Sequence, residues 1–130
     1  MTQLPFHTPY NNTPPPQSRL SIIQKLITVY KMWHEFLPHF PKTSKYTLGA
    51  KIDSLFVEII ELAFMASYSA PDKKLPIIHN AILKLDLAKF FLQIAWENKS
   101  LDSKKYIALS EYMVEIGKML GGWNRQLNSK

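Results

Sequence analysis

An all-α fold, an antiparallel four-helix bundle, is what this sequence predicts, on two observations. Apolar residues recur at alternating steps of three and four through four long stretches, the signature of amphipathic helices. The links between those stretches are short and carry proline, glycine or aspartate, so consecutive helices must turn back on one another. No segment shows the strict alternation of a half-buried strand. The 130 residues suit a single domain, enough chain for one continuous core.

Residues 1–17 hold five prolines among Asn, Gln and Thr and read as a flexible, partly polyproline tail. The helical pattern opens at Ser18, and the bundle domain is placed at 18–124, with 125–130 as a C-terminal tail. In the first helix Ile23, Leu26, Tyr30, Trp33 and Leu37 follow the three-four rhythm until Pro38 and Pro41 stop it, since proline lacks a backbone donor and clashes with the preceding turn. Ser44 is the candidate N-cap of the second helix, whose main face is Ile52, Leu55, Phe56, Ile59, Ala63 and Ala66. Pro71 and Asp72 break the chain, and Pro76 is expected in the first turn of the third helix. That helix carries Ile78, Ala81, Leu85, Ala88, Leu92 and Ala95 on one stripe. Asp102 is placed to cap the fourth helix, in which Tyr106, Leu109, Met113, Ile116 and Leu120 recur before Gly121 and Gly122 are expected to end it.

Two helices are apolar over more than one stripe. Val57, Ile60 and Phe64 add a second face to the second helix, and Leu83, Leu87, Phe90 and Ile94 add one to the third. A single bundle needs one stripe per helix, and contiguous apolar surface in water marks an interface. A homo-oligomer is expected.

Chemistry of the catalytic kind is hard to find. The absence of cysteine excludes a disulfide scaffold, a thiolate metal site and a cysteine nucleophile, and it fits a reducing compartment. His7, His34, His39 and His79 share no metal-ligand spacing and read as structural or solvated. Glu58 and Glu61 stand three apart, but the Glu-x-x-His pairs of carboxylate-bridged metal bundles have no counterpart here. The Leu-Gly-Gly at 120–122 follows a helix and lacks the Gly-Lys-Ser/Thr of a phosphate loop. No cofactor and no catalytic residue are assigned. The opening segment has no charged-then-apolar leader, and no apolar run reaches spanning length, so a cytoplasmic protein without a membrane partner is expected.

What remains is charge. The net charge is +6, and it lies in blocks. Residues 19–51 carry six Lys/Arg against Glu35 alone, 52–72 carry Asp53, Glu58, Glu61 and Asp72 with no base, and 73–105 return to excess base. The corner between the first two helices, "LPHFPKTSKYTLGAKI" at 37–52, contains Lys42, Lys45 and Lys51 and no acid. A solvated loop and a polyanion-binding surface both accommodate such a corner, and the complete lack of acids favours the second. Lys118 and Arg125 flank a second basic stretch near the end of the fourth helix, and simple alternation separates it from the first.

Three stretches resemble one family. "FPKTSKYTLGAKI" (40–52) is similar to that family's Phe-Pro-Lys, two variable residues, Arg, an aromatic, Thr-Leu-Gly, a base and Ile; "EIGKMLGGW" (115–123) is similar to its closing motif; and "ASYSAPDKKLPIIHNAILKLDLAKFFLQIA" (66–95) resembles its middle. The family is that of the accessory variability determinant (Avd) proteins of diversity-generating retroelements, and the resemblance covers about 20–124. It implies a four-helix bundle assembled as a homopentameric barrel that binds the element's reverse transcriptase and template RNA or cDNA, supporting mutagenic reverse transcription without being the polymerase. Lys42, Lys45, Lys51, Lys89 and Lys118 match basic positions of the family pattern. Lys45 and Lys118 stand where arginine is common, and lysine lacks arginine's bidentate grip on phosphate. Gln93 replaces a further base. The 23S ribosomal-RNA intervening-sequence proteins share the fold and form the alternative, as does a structural homo-oligomeric adaptor whose basicity is incidental.

Overall fold

The computed structural model describes residues 17–129. The proline-rich stretch 1–16, His7 included, lies outside the described residues. Helix α1 (Gln17–Phe36) leads through a 3-10 turn at Leu37–His39 into the first corner. A helical turn at Lys42–Ser44 and a π turn at Lys45–Gly49 then run without a break into α2 (Ala50–Tyr68), and α3 (Pro71–Glu97) and α4 (Ser103–Asn128) complete the bundle. No strand occurs among the described residues.

Each helix packs on two neighbours, in the ring order α1, α2, α3, α4. All neighbours are antiparallel. Trp33 near the end of α1 reaches Asp53 at the start of α2, while Tyr30, a turn earlier, meets Phe56, a turn later. Across the other seam Lys105 lies over the Phe36 ring and Lys25 pairs with Glu115, again stepping in opposite directions.

The core is the set of stripes predicted for α2 and α3, every member of which is buried, together with Leu109, Met113, Ile116 and Leu120 of α4. In α1 the fully buried face is Ile22, Leu26, Val29 and Trp33, one residue off the expected set at two positions. Ile23, Tyr30 and Leu37 border it, half-buried. Two registers were open to the three-four rhythm. The one chosen turns Val29 fully inward and leaves Tyr30, with its hydroxyl, at the edge.

Several helix boundaries depart from the sequence reading. Ser44 does not cap α2. The helical run starts two residues earlier, behind Pro41, whose carbonyl accepts from the amides of both Ser44 and Lys45 (3.0 and 2.9 Å). The Ser44 hydroxyl instead meets that of Ser100, 2.7 Å away on the opposite corner. Pro71 begins α3 rather than breaking the chain. The break falls at Ser69–Ala70, and Pro76 sits in the second turn, where its missing amide removes one helical hydrogen bond, to the carbonyl of exposed Asp72. Just inside that helix, the buried Lys74 ammonium donates to the Ala66 carbonyl at 2.8 Å, satisfying the end of α2.

The largest departure is at the end of α4, which runs through Gly121 and Gly122 to Asn128. Two interior glycines cost about 2 kcal/mol relative to alanine. Beyond them Trp123 is only 6% exposed, and burying an indole is worth on the order of 4–6 kcal/mol. The second effect wins. Asp102 caps α4 as expected, its carboxylate accepting from the Lys105 amide at 2.8 Å.

Gly49 shows why the first corner is tight. A Cβ there would stand 2.7 Å from Leu37 Cδ1 and 3.4 Å from the Phe40 ring. Gly49→Ala is expected to change stability by less than about 1 kcal/mol, because the tip of Leu37 can swing aside while alanine gains helix propensity. Gly49→Ile drives further carbons into the same space and is expected to destabilise by about 1–3 kcal/mol. Urea unfolding of the two variants checks the difference, and equal stability would show that the approach is slack.

Candidate functional site

The first corner is built from the inside outward. Trp33 is wholly buried and stacks edge-on with Phe40 (centroids 5.4 Å apart) and tilted against Phe56 (5.8 Å). Its indole nitrogen donates to Asp53 Oδ1 at 3.1 Å. Burial and the neighbouring Asp53 carboxylate together hold the Tyr30 hydroxyl above its ordinary pKa, so the phenol stays neutral beside that charge. The chain between Phe40 and Gly49 is thereby pinned at both ends; Ser44 turns inward to Ser100, while Lys42, Thr43, Tyr46 and Thr47 are exposed.

Lys42 is exposed on the helical turn. Lys45 opens the π turn with its ammonium 5.6 Å from the ring centroid of Tyr46, itself 72% exposed. Lys51 is exposed in the first turn of α2. These three share one end of the bundle.

The other predicted residues lie elsewhere. Lys89 pairs with Asp86 at 3.7 Å, and its ammonium lies against Gly117, next to the exposed Lys118, so these two share the α3–α4 side. Arg125 is exposed in the last turn of α4 at the far end, its guanidinium folded over Gly121 and Gly122. Lys51 does not bridge the zones: its charge acts on Glu58, which pairs with Lys84 of α3 at 3.0 Å, on the α2–α3 side.

Sequence reasoning missed a second basic corner. Antiparallel alternation brings the α3–α4 link to the same end as the α1–α2 link, and the Ser44–Ser100 hydrogen bond joins them. Lys99 and Lys104 are exposed there, and Lys105 lies 5.5 Å from the Phe36 ring centroid. The signal was the excess of base over 73–105, but its place in space needed the topology.

The α3–α4 link has a particular construction. The amides of Lys99 and Ser100 donate back to the carbonyls of Trp96 and Ala95 (3.1 and 2.8 Å), a Schellman closure of α3. Lys99 occupies its left-handed position with φ of 66°, where glycine is usual and a lysine costs about 1–2 kcal/mol. Trp96 lies flat on Tyr106, rings 5.1 Å apart and 10° from parallel, and donates to Ser103 Oγ at 3.0 Å. Beside the indole is an open pocket of about 570 Å³, bordered also by Glu97, Lys99, Leu101 and Asp102.

The sides of the bundle are apolar in patches. Leu83 (65% exposed), Phe90, Val57 and Phe64 lie on the second faces predicted for α2 and α3, and Ile107 and Val114 add a patch on α4 that the sequence reading omitted. Among the described residues no three His, Asp or Glu converge to hold a metal ion. No helix among them is long and apolar enough to cross a membrane.

Fold and surface together define an all-α bundle protein with a basic, partly aromatic end and apolar sides. A family model described as bAvd-like matches residues 20–127, and the chain belongs to that family. No curated protein and no solved structure gives a significant match.

The Glu58–Lys84 pair gives a pH test. The Lys84 ammonium, hydrogen-bonded to it, holds the Glu58 carboxyl below its ordinary pKa. With the folded pKa below the unfolded one, the stabilisation is fully present above the unfolded value and is lost as pH falls through the folded one. Glu58→Gln is therefore expected to cost under about 1 kcal/mol at neutral pH, as exposed pairs do, with the gap to wild type closing below pH about 4. Denaturant melts of both proteins across that range check it. A gap that widens in acid would contradict the assignment.

Proposed function

We propose that this protein is the non-catalytic accessory subunit of a diversity-generating retroelement, assembling with copies of itself and binding the element's reverse transcriptase and template RNA or cDNA. The observation that carries this reading is the bAvd-like match across nearly the whole bundle. The acid-free first corner supports it, because Lys42, Lys45 and Lys51 are held outward by a rigid aromatic base. Lysines at a fixed corner suit phosphate contacts, which are sensitive to salt and indifferent to sequence. Lys89, Lys118 and Arg125 form further basic zones available to the polymerase or to a longer stretch of nucleic acid. The role calls for no cofactor.

Self-association is the part of this reading that the apolar sides support. Val57 and Phe64 on α2, with Leu83 and Phe90 on α3, are the kind of surface that a second copy covers. A homopentamer is expected, and light scattering coupled to chromatography measures its mass. A monodisperse monomer at micromolar concentration would refute it.

Nucleic-acid binding is tested by replacing Lys42, Lys45 and Lys51 together with glutamine. All three side chains leave the core untouched, so assembly is expected to persist. RNA affinity is expected to fall at least tenfold at moderate salt, by similar factors for unrelated sequences, with the logarithmic salt slope reduced by up to about 3. An unchanged affinity and slope would leave the corner a solvated loop, and the structural-adaptor reading would then stand.

A further inference from the structure

The α3–α4 corner combines three features that a solvated turn does not need. Lys99 occupies a left-handed backbone position, φ 66°, where glycine would cost less. Trp96 is 40% exposed although its indole is fixed by stacking on Tyr106 and by its bond to Ser103. The open pocket lies against that indole. We propose that this corner binds an unpaired nucleotide of a single-stranded nucleic acid, its base against Trp96 and its phosphate at Lys99. The proposal rests on the nucleic-acid reading above and goes beyond it by naming a second site and the strandedness of the ligand.

The division of labour follows from the charges. Glu97 and Asp102 border the pocket and disfavour a phosphate inside it, whereas a carboxylate accepts hydrogen bonds from the exocyclic amino group of a base. Glu97 is held by Gln93 Nε2 at 3.0 Å, and Asp102 is occupied by capping α4. Phosphate belongs outside, with Lys99 and Lys104, both exposed. Across the end of the bundle, tied to this corner by Ser44 and Ser100, Tyr46 stands beside Lys45 as a second exposed aromatic with its own cation. Aromatic faces interleaved with lysines suit splayed single strands, whose bases are free to stack. A duplex keeps its bases stacked inside and offers such a surface only its backbone.

The inference is tested with Lys99→Gly, which separates function from folding. Glycine relieves the left-handed backbone, so the melting temperature is expected to rise by a few degrees. Affinity for a labelled unstructured RNA of about 12 nucleotides is expected to fall several-fold, with the salt slope reduced by about 1. A variant that is more stable and binds as before would overturn the assignment of Lys99. Trp96→Ala is the second arm, with Tyr46→Ala beside it because that ring lies outside the core. Each is expected to weaken the single strand by about 5- to 150-fold with the slope unchanged, and to leave the same strand annealed to its complement unaffected. Equal loss for strand and duplex, or an altered oligomer mass, would overturn the stacking assignment, the second by showing that the rings are subunit contacts. A wild type that binds RNA and depends on Lys42, Lys45 and Lys51 while all these variants behave normally would end this proposal and leave the wider reading intact.

Discussion

The buried indole of Trp33 is the constraint on which the basic end of this protein depends. It touches α1's own core, the Phe40 ring of the corner and the Phe56 ring of α2, and its one polar atom is satisfied by Asp53. An indole N–H left without an acceptor in the core would cost about 1–3 kcal/mol, so the Asp53 bond decides how α2 sits against α1. Asp53 also stands in the first turn of α2, where a carboxylate is favoured by the helix dipole. The corner between them has little freedom left. The eight residues from Lys42 to Gly49 are folded into a helical turn and a π turn, with Gly49 closing on Leu37. The lysines of this corner are thus carried on a rigid base.

Topology does the rest. Short links force alternation, and alternation places the first and third links at one end. Lys42, Lys45, Lys51, Lys99, Lys104 and Lys105 gather there against Glu35, Asp53, Glu97 and Asp102, and Asp102 both caps α4 and stands 3.9 Å from the Lys105 ammonium. Like charges so gathered repel one another, and at physiological salt the repulsion acts over about 8 Å. Lys105 is partly offset by Asp102 and the Phe36 ring and Lys45 by the Tyr46 ring, while Lys42, Lys99 and Lys104 stand exposed. The left-handed backbone of Lys99 adds to the same side of the balance. That position closes α3 with two hydrogen bonds, but a glycine would close it at less cost, and the choice of lysine agrees with the proposed anion-binding surface.

The buried stripes of α2 and α3 were fully legible in the sequence because burial there obeys a single period, in α3 with large and small residues alternating along it. The cap at Asp102 was legible because one side chain decides it. The glycines at 121 and 122 misled, since local propensity marks them as a stop while Trp123 and Leu127, beyond them, pack on the core. Ser44 misled similarly: a hydroxyl after a proline reads as a cap, yet its partner is Ser100, 56 positions away. Of the proposed binding residues, the corner lysines at 42, 45 and 51 stood out as an acid-free run. Lys99 and Trp96 did not, because "ENKSLDSKK" mixes both charges and its meaning lies in a φ angle and a ring stack that no spacing encodes.

The two kinds of surface are arranged at right angles. The exposed apolar residues Leu83, Phe90, Val57 and Phe64 run along the helices, while the lysines and aromatics of the two corners occupy an end. Copies arranged side by side about an axis parallel to the helices would leave every basic end uncovered and facing the same way. Under the proposed reading each end would offer only a few phosphate contacts and one or two stacking faces, which is weak binding taken alone. A strand that has engaged one end then meets the next at an effective concentration set by the short chain between them, so affinity rises steeply with copy number without any new contact. The side faces and the end are thus one device under the proposed reading. Apolar burial sets how many ends are presented, and the Trp33-anchored corners set what each end can hold.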